Sequence, residues 1–298
     1  VRGVRTVTLA SPPIANVVTS DGDTILGAAA LRDELSLSLT GDGIMVGVIS
    51  DGVMNLAAAQ SYDELPDVNV LRIDPDALNK DEGTAMLEIV HDLAPGASLY
   101  FYGVTDSVEM LVAIQSLVER GCDIIVDDLS FPTDEPYFQN DVVGSVAYEA
   151  AQAVAGMWID EFQRDPVVYV TAAGNWATKH YQGLYNPDEN GYHLFDEGGT
   201  FLEVTVPAYS TIDIWFQWSD PWGYCESEYD LAVREWVFAN GYWGWSEYNY
   251  LLAEDQPGGV PYKTFSWPNP LSYEVRYGLT IQKVSGESCE LEIYASRD

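Results

Sequence analysis

Five short apolar runs mark out the first part of the chain: "GIMVGVIS" (43–50), "NVLRID" (69–74), "SLYFYG" (98–103), "CDIIVDDLS" (122–130) and "VVYVTAAGN" (167–175). Each is too short for a helix and too continuous for a strand with one wet face. Between them the period changes. Ala85, Met86, Ile89, Val90 and Leu93 recur at i, i+3, i+4 spacing until Pro95-Gly96 stops them, and "SVEMLVAIQSLVERG" and "VVGSVAYEAAQAVAGMWIDEF" repeat that spacing. An earlier amphipathic stretch, "TILGAAALRDELSLSL" (24–39), is broken by "TGDG" at 40–43. Strands that read as unbroken Val/Ile runs and alternate with helices belong to a parallel sheet covered on both faces.

From about residue 183 helical periodicity ends and alternation takes over, in "FLEVTVPA", "TIDIWFQW", "GLTIQKV" and "CELEIYA". This is the pattern of an antiparallel β-sandwich. Seven of the nine tryptophans fall between Trp215 and Trp267, where they either fill the sandwich core or form an exposed row for a carbohydrate or protein. The expected fold class is therefore α/β: a doubly wound parallel sheet followed by an antiparallel β-sandwich domain. The expected divisions are an N-terminal segment and lead-in helix at 1–39, an α/β domain at 40–182 and the sandwich at 183–298.

Charge narrows the partners. A formal charge of −34, with 47 acids against 13 bases, disfavours nucleic acid and anionic membrane surfaces. No run of 18 apolar residues suggests insertion into a membrane. An acidic, lysine-poor surface suits an extracellular and high-salt setting, where screening relieves self-repulsion. Cys225 and Cys289 both lie in the aromatic-rich part and are expected to form a disulfide within the sandwich in an oxidising compartment, two free buried thiols being the alternative. Cys122, with no basic neighbour, reads as a small buried hydrophobe, and His91 as an ordinary helical histidine.

The chemistry sits where strands end and helices begin. "GIMVGVISDG" delivers Asp51 at the end of an apolar run, and "DEGTAMLEIVHDLAPGA" sets Glu82 against a Gly-Thr turn at a helix head. Alone, Asp51 suits a turn cap and Glu82 a helix N-terminus. Together with "CDIIVDDLSF", "EPYFQND" and "VVYVTAAGN", in that order, these segments resemble subtilisin-like serine peptidases over roughly residues 40–180. The resemblance implies Asp51 at the place of the catalytic aspartate, Glu82 at the place of the histidine, and Asn175 at the oxyanion-hole asparagine. A glutamate at the second place resembles the sedolisins, serine-carboxyl peptidases, and bacterial relatives with a "DEG-AM" motif and an inserted β-sandwich. Met86 occupies the position where sedolisins place their second acid, so Asp51 is expected to supply that acid, coupled to Glu82. Asp127 and Asp128 are candidates for a substrate cleft or a cation. A structural Ca2+ is the one cofactor left open, with no metal site assigned.

A serine-bearing "GTSxxAP" type of segment does not occur in these 298 residues, and Ser285 in "VSGES" lies between two β-like runs. The expectation is an endopeptidase-like protein acting on protein or peptide, its serine helix supplied by further sequence of which this chain is an excerpt, by a complementing or cleaved chain, or by self-assembly. The alternative is an inactive protease-fold scaffold or binding module. An absent helix would leave an apolar floor beneath the site, at the strands bearing Ile49, Ile125 and Val170, unless the segment 1–20 covers it.

Overall fold

The structure is a computed structural model that describes residues 20–34, 39–73, 77, 79–132, 135–156, 166–175, 179–195, 198–239, 242–246, 250–251 and 259–297. The chain forms two compact units: residues 1–129 with 152–172, and residues 130–151 with 173–298.

In the first unit, α1 (Asp21–Ile25) and α2 (Ala28–Glu34) replace the single lead-in helix expected over 24–39. Gly27 divides them because it takes φ +72, a left-handed conformation that no helix continues through. The alternation then proceeds as β1 (Met45–Ser50), α3 (Leu56–Ser61), β2 (Asn69–Arg72), α4 (Glu82–Leu93), β3 (Ser98–Gly103), α5 (Ser107–Arg120), β4 (Ile124–Asp127), α6 (Val146–Ala155), within which the division between the units falls, and β5 (Val168–Thr171). Helix α5 starts where Asp106 accepts a hydrogen bond from the Glu109 amide, and it stops at Gly121, φ +86. The five strands are parallel, in the order β2-β3-β1-β4-β5.

Packing shows which helix covers which face. Val46 and Val48 of β1 cluster with Leu99 and Phe101 of β3, with Ala59 of α3 and with Leu87 of α4. On the opposite face Gly47 meets Leu117 of α5, whose carbons would lie 2.8 Å from an added Cβ. Helices α3 and α4 thus share a face, while α5 lies on the other. The chain runs outward from β1 to β2 over the α3 face and returns to β3 over that same face, so the α4 crossover has the opposite hand to its neighbours through α3 and α5. Because such crossovers are right-handed almost without exception, the α4 connection is the unusual one.

The second unit is a sandwich of two antiparallel sheets. One has the order β10 (Tyr242–Trp245), β9 (Glu228–Ala239), β13 (Val275–Ser285), β7 (Leu202–Val206), with β11 (Tyr250–Leu251) also on β9. The other is β12 (Tyr262–Pro268), β8 (Thr211–Trp218), β14 (Glu290–Arg297), β6 (His180–Leu184). Their inward residues, among them Ile214, Phe216 and Ile293 facing Tyr229, Leu231 and Ile281, form one core. Strand β6 already pairs with β14, so the sandwich begins before residue 183. Residues 130–151 join it as well. The buried side chain of Gln217 accepts from the Tyr137 amide and donates to the Glu135 carbonyl, while Gln139 donates to the Asp220 carbonyl and accepts from the Trp222 amide. "EPYFQND" is thereby a fastening to β8 and the turn after it.

One open choice and one expectation about this unit are decided. Trp215, Trp218, Trp222, Trp236, Trp245 and Trp267 are all buried or half-buried, so an exposed tryptophan row is absent among the described residues. Cys225 and Cys289 are free thiols rather than a disulfide. Each donates to a different oxygen of Asp220, Cys289 at 3.1 Å and Cys225 at 3.4 Å, so both sulfurs are engaged by one carboxylate. Burial pushes the Cys225 thiol up to about 11, with the Asp220 charge adding to it, which keeps the thiolate needed for oxidation scarce.

Candidate active site

The entry to α4 is built by three consecutive residues with separate tasks. Asp81 accepts hydrogen bonds from the Asn55 amide, the Asn55 side chain and the Thr84 hydroxyl, each at 2.7 Å. Burial raises its pKa, but these bonds outweigh burial and hold Asp81 below the usual carboxylate range. The residue therefore ties the loop after β1 to the head of α4. Gly83 makes the approach close. Its amide donates to the Gly52 carbonyl at 3.0 Å, and an added Cβ would fall 2.4 Å from the Phe101 ring and 2.7 Å from the Gly52 oxygen. Between them Glu82 is exposed at the first position of the helix.

Asp51, one residue beyond β1, forms an ion pair with Lys80, Oδ2 to Nζ at 3.3 Å. Its Oδ1 is buried without a hydrogen-bond partner. The carboxyl that Glu82 faces belongs to Asp128. Asp128 follows β4, which pairs in register with β1 so that Ile49 opposes Asp127, and Ser50 and Asp128 come next on the two strands. Both Asp128 oxygens and the Ser50 hydroxyl are buried and make no hydrogen bond among the described residues. Burial, followed by the Glu82 charge, raises Asp128 to about 6, against a smaller opposing influence of the Ser50 hydroxyl.

Asp127 points to the opposite face. It is buried, accepts from the Thr171 hydroxyl at 2.9 Å and from the Leu129 amide at 3.3 Å, and so fastens β4 to β5. Burial raises its pKa too. That engagement ties Asp127 to the β4–β5 pairing. Among the described residues no group of three His, Cys, Asp or Glu side chains is disposed to hold a metal ion. Asn175 lies in an exposed bend four residues past β5, after Gly174 at φ +81, and belongs to the second unit. Burial, helped by the Asp123 charge, pushes the Cys122 thiol up to about 12. His91 is half-buried on α4, its Nδ1 without a hydrogen-bond partner among the described residues.

The expected floor divides between two faces. Register places Val46, Ile124 and Val168 on one line across the sheet, and Val48, Val126 and Val170 on the next, all on the α4 face. Exposure rises along these lines, from 0% at Val48 to 49% at Val170 and 58% at Val168. Ile49 and Ile125 lie on the α5 face and are wholly buried, so these two belong to no open floor. Residues 1–19, considered as a cover, fall outside the described residues.

No protein-family model and no curated protein matches the chain. Among solved structures it is similar to the Clostridium perfringens CspB protease, with 13% identity and a TM-score of 0.48, over 92% of this chain and 66% of that one. A carbohydrate-binding module specific for non-crystalline cellulose is similar to 39% of the chain, over 71% of its own length, at 12% identity and a TM-score of 0.21. The module TmCBM61, solved with β-1,4-galactotriose, is similar to 41% of this chain over 94% of its own, at 10% identity and a TM-score of 0.19. At such identities and TM-scores these likenesses assign no role to any residue here.

Proposed function

We propose that the chain carries the acid–base half of a serine-type endopeptidase site, of the subtilisin-like kind in which glutamate replaces histidine. The observation that carries this reading is Glu82: exposed at a helix head, fixed by the Asp81 clamp and the Gly52–Gly83 contact, and facing a second, buried carboxyl. A carboxylate positioned in this way can accept the proton of an attacking hydroxyl and return it to a leaving amine. The nucleophilic serine and the helix bearing it come from outside these 298 residues. The half-exposed valines of β5, on the same face as α4, offer that helix an apolar bed. Asn175 is proposed as the oxyanion-hole donor, Asp51 as a supporting acid, and the setting as extracellular. The alternative is a protease-fold scaffold without activity. It is favoured by the second unit, whose sandwich has a complete core of its own.

The test is a peptidase assay on a protein substrate from about pH 4 to about pH 8, of this chain and of the chain extended through the sequence that follows it. Activity in the extended protein, reduced by about a thousandfold in Glu82→Gln, is the expected result. No activity in any extended form supports the scaffold, and full activity in Glu82→Gln removes Glu82 as the base.

A further inference from the structure

We propose that Asp128, and not Asp51, is the acid that shares a proton with Glu82, so the carboxyl pair is closed across the sheet from β4 rather than from the loop after β1. The inference deepens the peptidase reading and rests on it for its catalytic meaning.

Three observations support it independently of that reading. The parallel register of β1 and β4 brings Ser50 and Asp128 together at the carboxyl ends of adjacent strands, pointing to the face that α4 covers. Among the described residues neither buried oxygen of Asp128 has a partner at full hydrogen-bond geometry, a costly state for an ionised carboxylate and one relieved by a proton held toward the neighbouring acid. The other charged groups at this rim are already engaged: Asp51 with Lys80, Asp81 with Asn55 and Thr84, and Asp127 with Thr171. Glu82 is the acid left facing Asp128. Ser50, wholly buried with an unpartnered hydroxyl, stands beside the pair as a donor to the ionised form of Asp128.

The proton count closes. Below about 6 the resting pair holds one proton, on Asp128, and carries one negative charge. When a hydroxyl attacks a peptide carbonyl, its proton passes to Glu82, the O–C bond forms and the negative charge moves to the oxyanion. Collapse breaks the C–N bond as Glu82 returns that proton to the departing amine. Below about 6 Asp128 keeps its proton throughout and keeps the two carboxyls from repelling one another.

Carboxyl 13C chemical shifts of this chain, labelled at Asp and Glu and followed from about pH 3 to about pH 8, test the pairing without any catalysis. The expected result is an Asp128 titration near 6 that moves toward the usual aspartate range in Glu82→Gln, moves further up in Ser50→Ala, and is unchanged in Asp51→Asn. Stability should follow with a defined sign. Between the usual aspartate range and about 6 the folded chain binds the extra proton, so this group's contribution falls as pH rises through that window, and Asp128→Asn should flatten the fall. An Asp128 that titrates near 4 in the wild-type chain, or that responds to Asp51→Asn and not to Glu82→Gln, overturns the pairing. A pair that titrates as expected in an extended protein without peptidase activity leaves the pairing intact and removes the peptidase reading instead.

Discussion

Asp81, Glu82, Gly83 and Thr84 show how much a four-residue motif carries when each member answers a different physical demand. Asp81 and Thr84 hold the loop, Gly83 lets two backbones touch, and Glu82 is left free to face Asp128. The clearest test at this scale is Gly83→Ala. Its Cβ would meet a backbone oxygen at 2.7 Å and the wholly buried ring of Phe101 at 2.4 Å, neither of which is the free end of a flexible side chain. Urea unfolding should show a loss of about 3 kcal/mol, whereas the exposed Glu82→Gln should change stability by less than about 0.5 kcal/mol. A Gly83→Ala midpoint equal to wild type would mean the loop is not held as described. Glu82 became a candidate in the sequence through the order of the motifs around it, since a carboxylate at a helix head is by itself ordinary. Its facing of Asp128 was not legible, because it depends on strand register, and a shift of one residue would have turned Asp127 toward α4 instead.

At the scale of elements, the apolar runs located all five parallel strands and the i, i+3, i+4 spacing located α4 and α5. What the pattern missed has physical causes. Gly27 splits the lead-in helix through a left-handed φ that a permissive residue allows but does not require. The sequence "HYQGL" alternates too little to announce β6 as a strand of the sandwich. A continuous apolar run also cannot say which of its residues faces which helix, and so Ile49 and Val170 were expected on one floor although they face opposite ways. Strand β5 gives the matching prediction. Val170 is half exposed and Val48 wholly buried on the same line across the sheet. In this chain Val170→Thr should cost less than about 0.5 kcal/mol and Val48→Thr about 2 kcal/mol or more, by thermal or urea unfolding. If the extended protein lays a helix on β5, Val170→Thr should become costly there, and an unchanged small cost would show that nothing covers the strand.

At the scale of the whole molecule the dominant fact is charge. With 47 acidic side chains against 13 basic ones, most carboxylates have no cation to pair with, whatever the arrangement of the surface. Among the described residues the ion pairs are few beside the acids, and an exposed one such as Arg276 with Glu203 contributes little. Self-repulsion must then oppose folding at low ionic strength, because the compact state holds the same −34 in a smaller volume than the unfolded chain. Screening should relieve it. The thermal midpoint is expected to rise steeply as NaCl increases from about 0.02 M to about 0.5 M, over which the Debye length falls from roughly 20 Å to roughly 4 Å. It should flatten above that range, where screening is nearly complete and further gains come only from solute exclusion. Sucrose at matched osmolality separates the two causes, since it excludes itself from the surface without screening. A midpoint that rises equally in sucrose, or that does not respond to NaCl below about 0.5 M, would show that the acidic surface is no burden on the fold and would remove the physical argument for a high-salt setting.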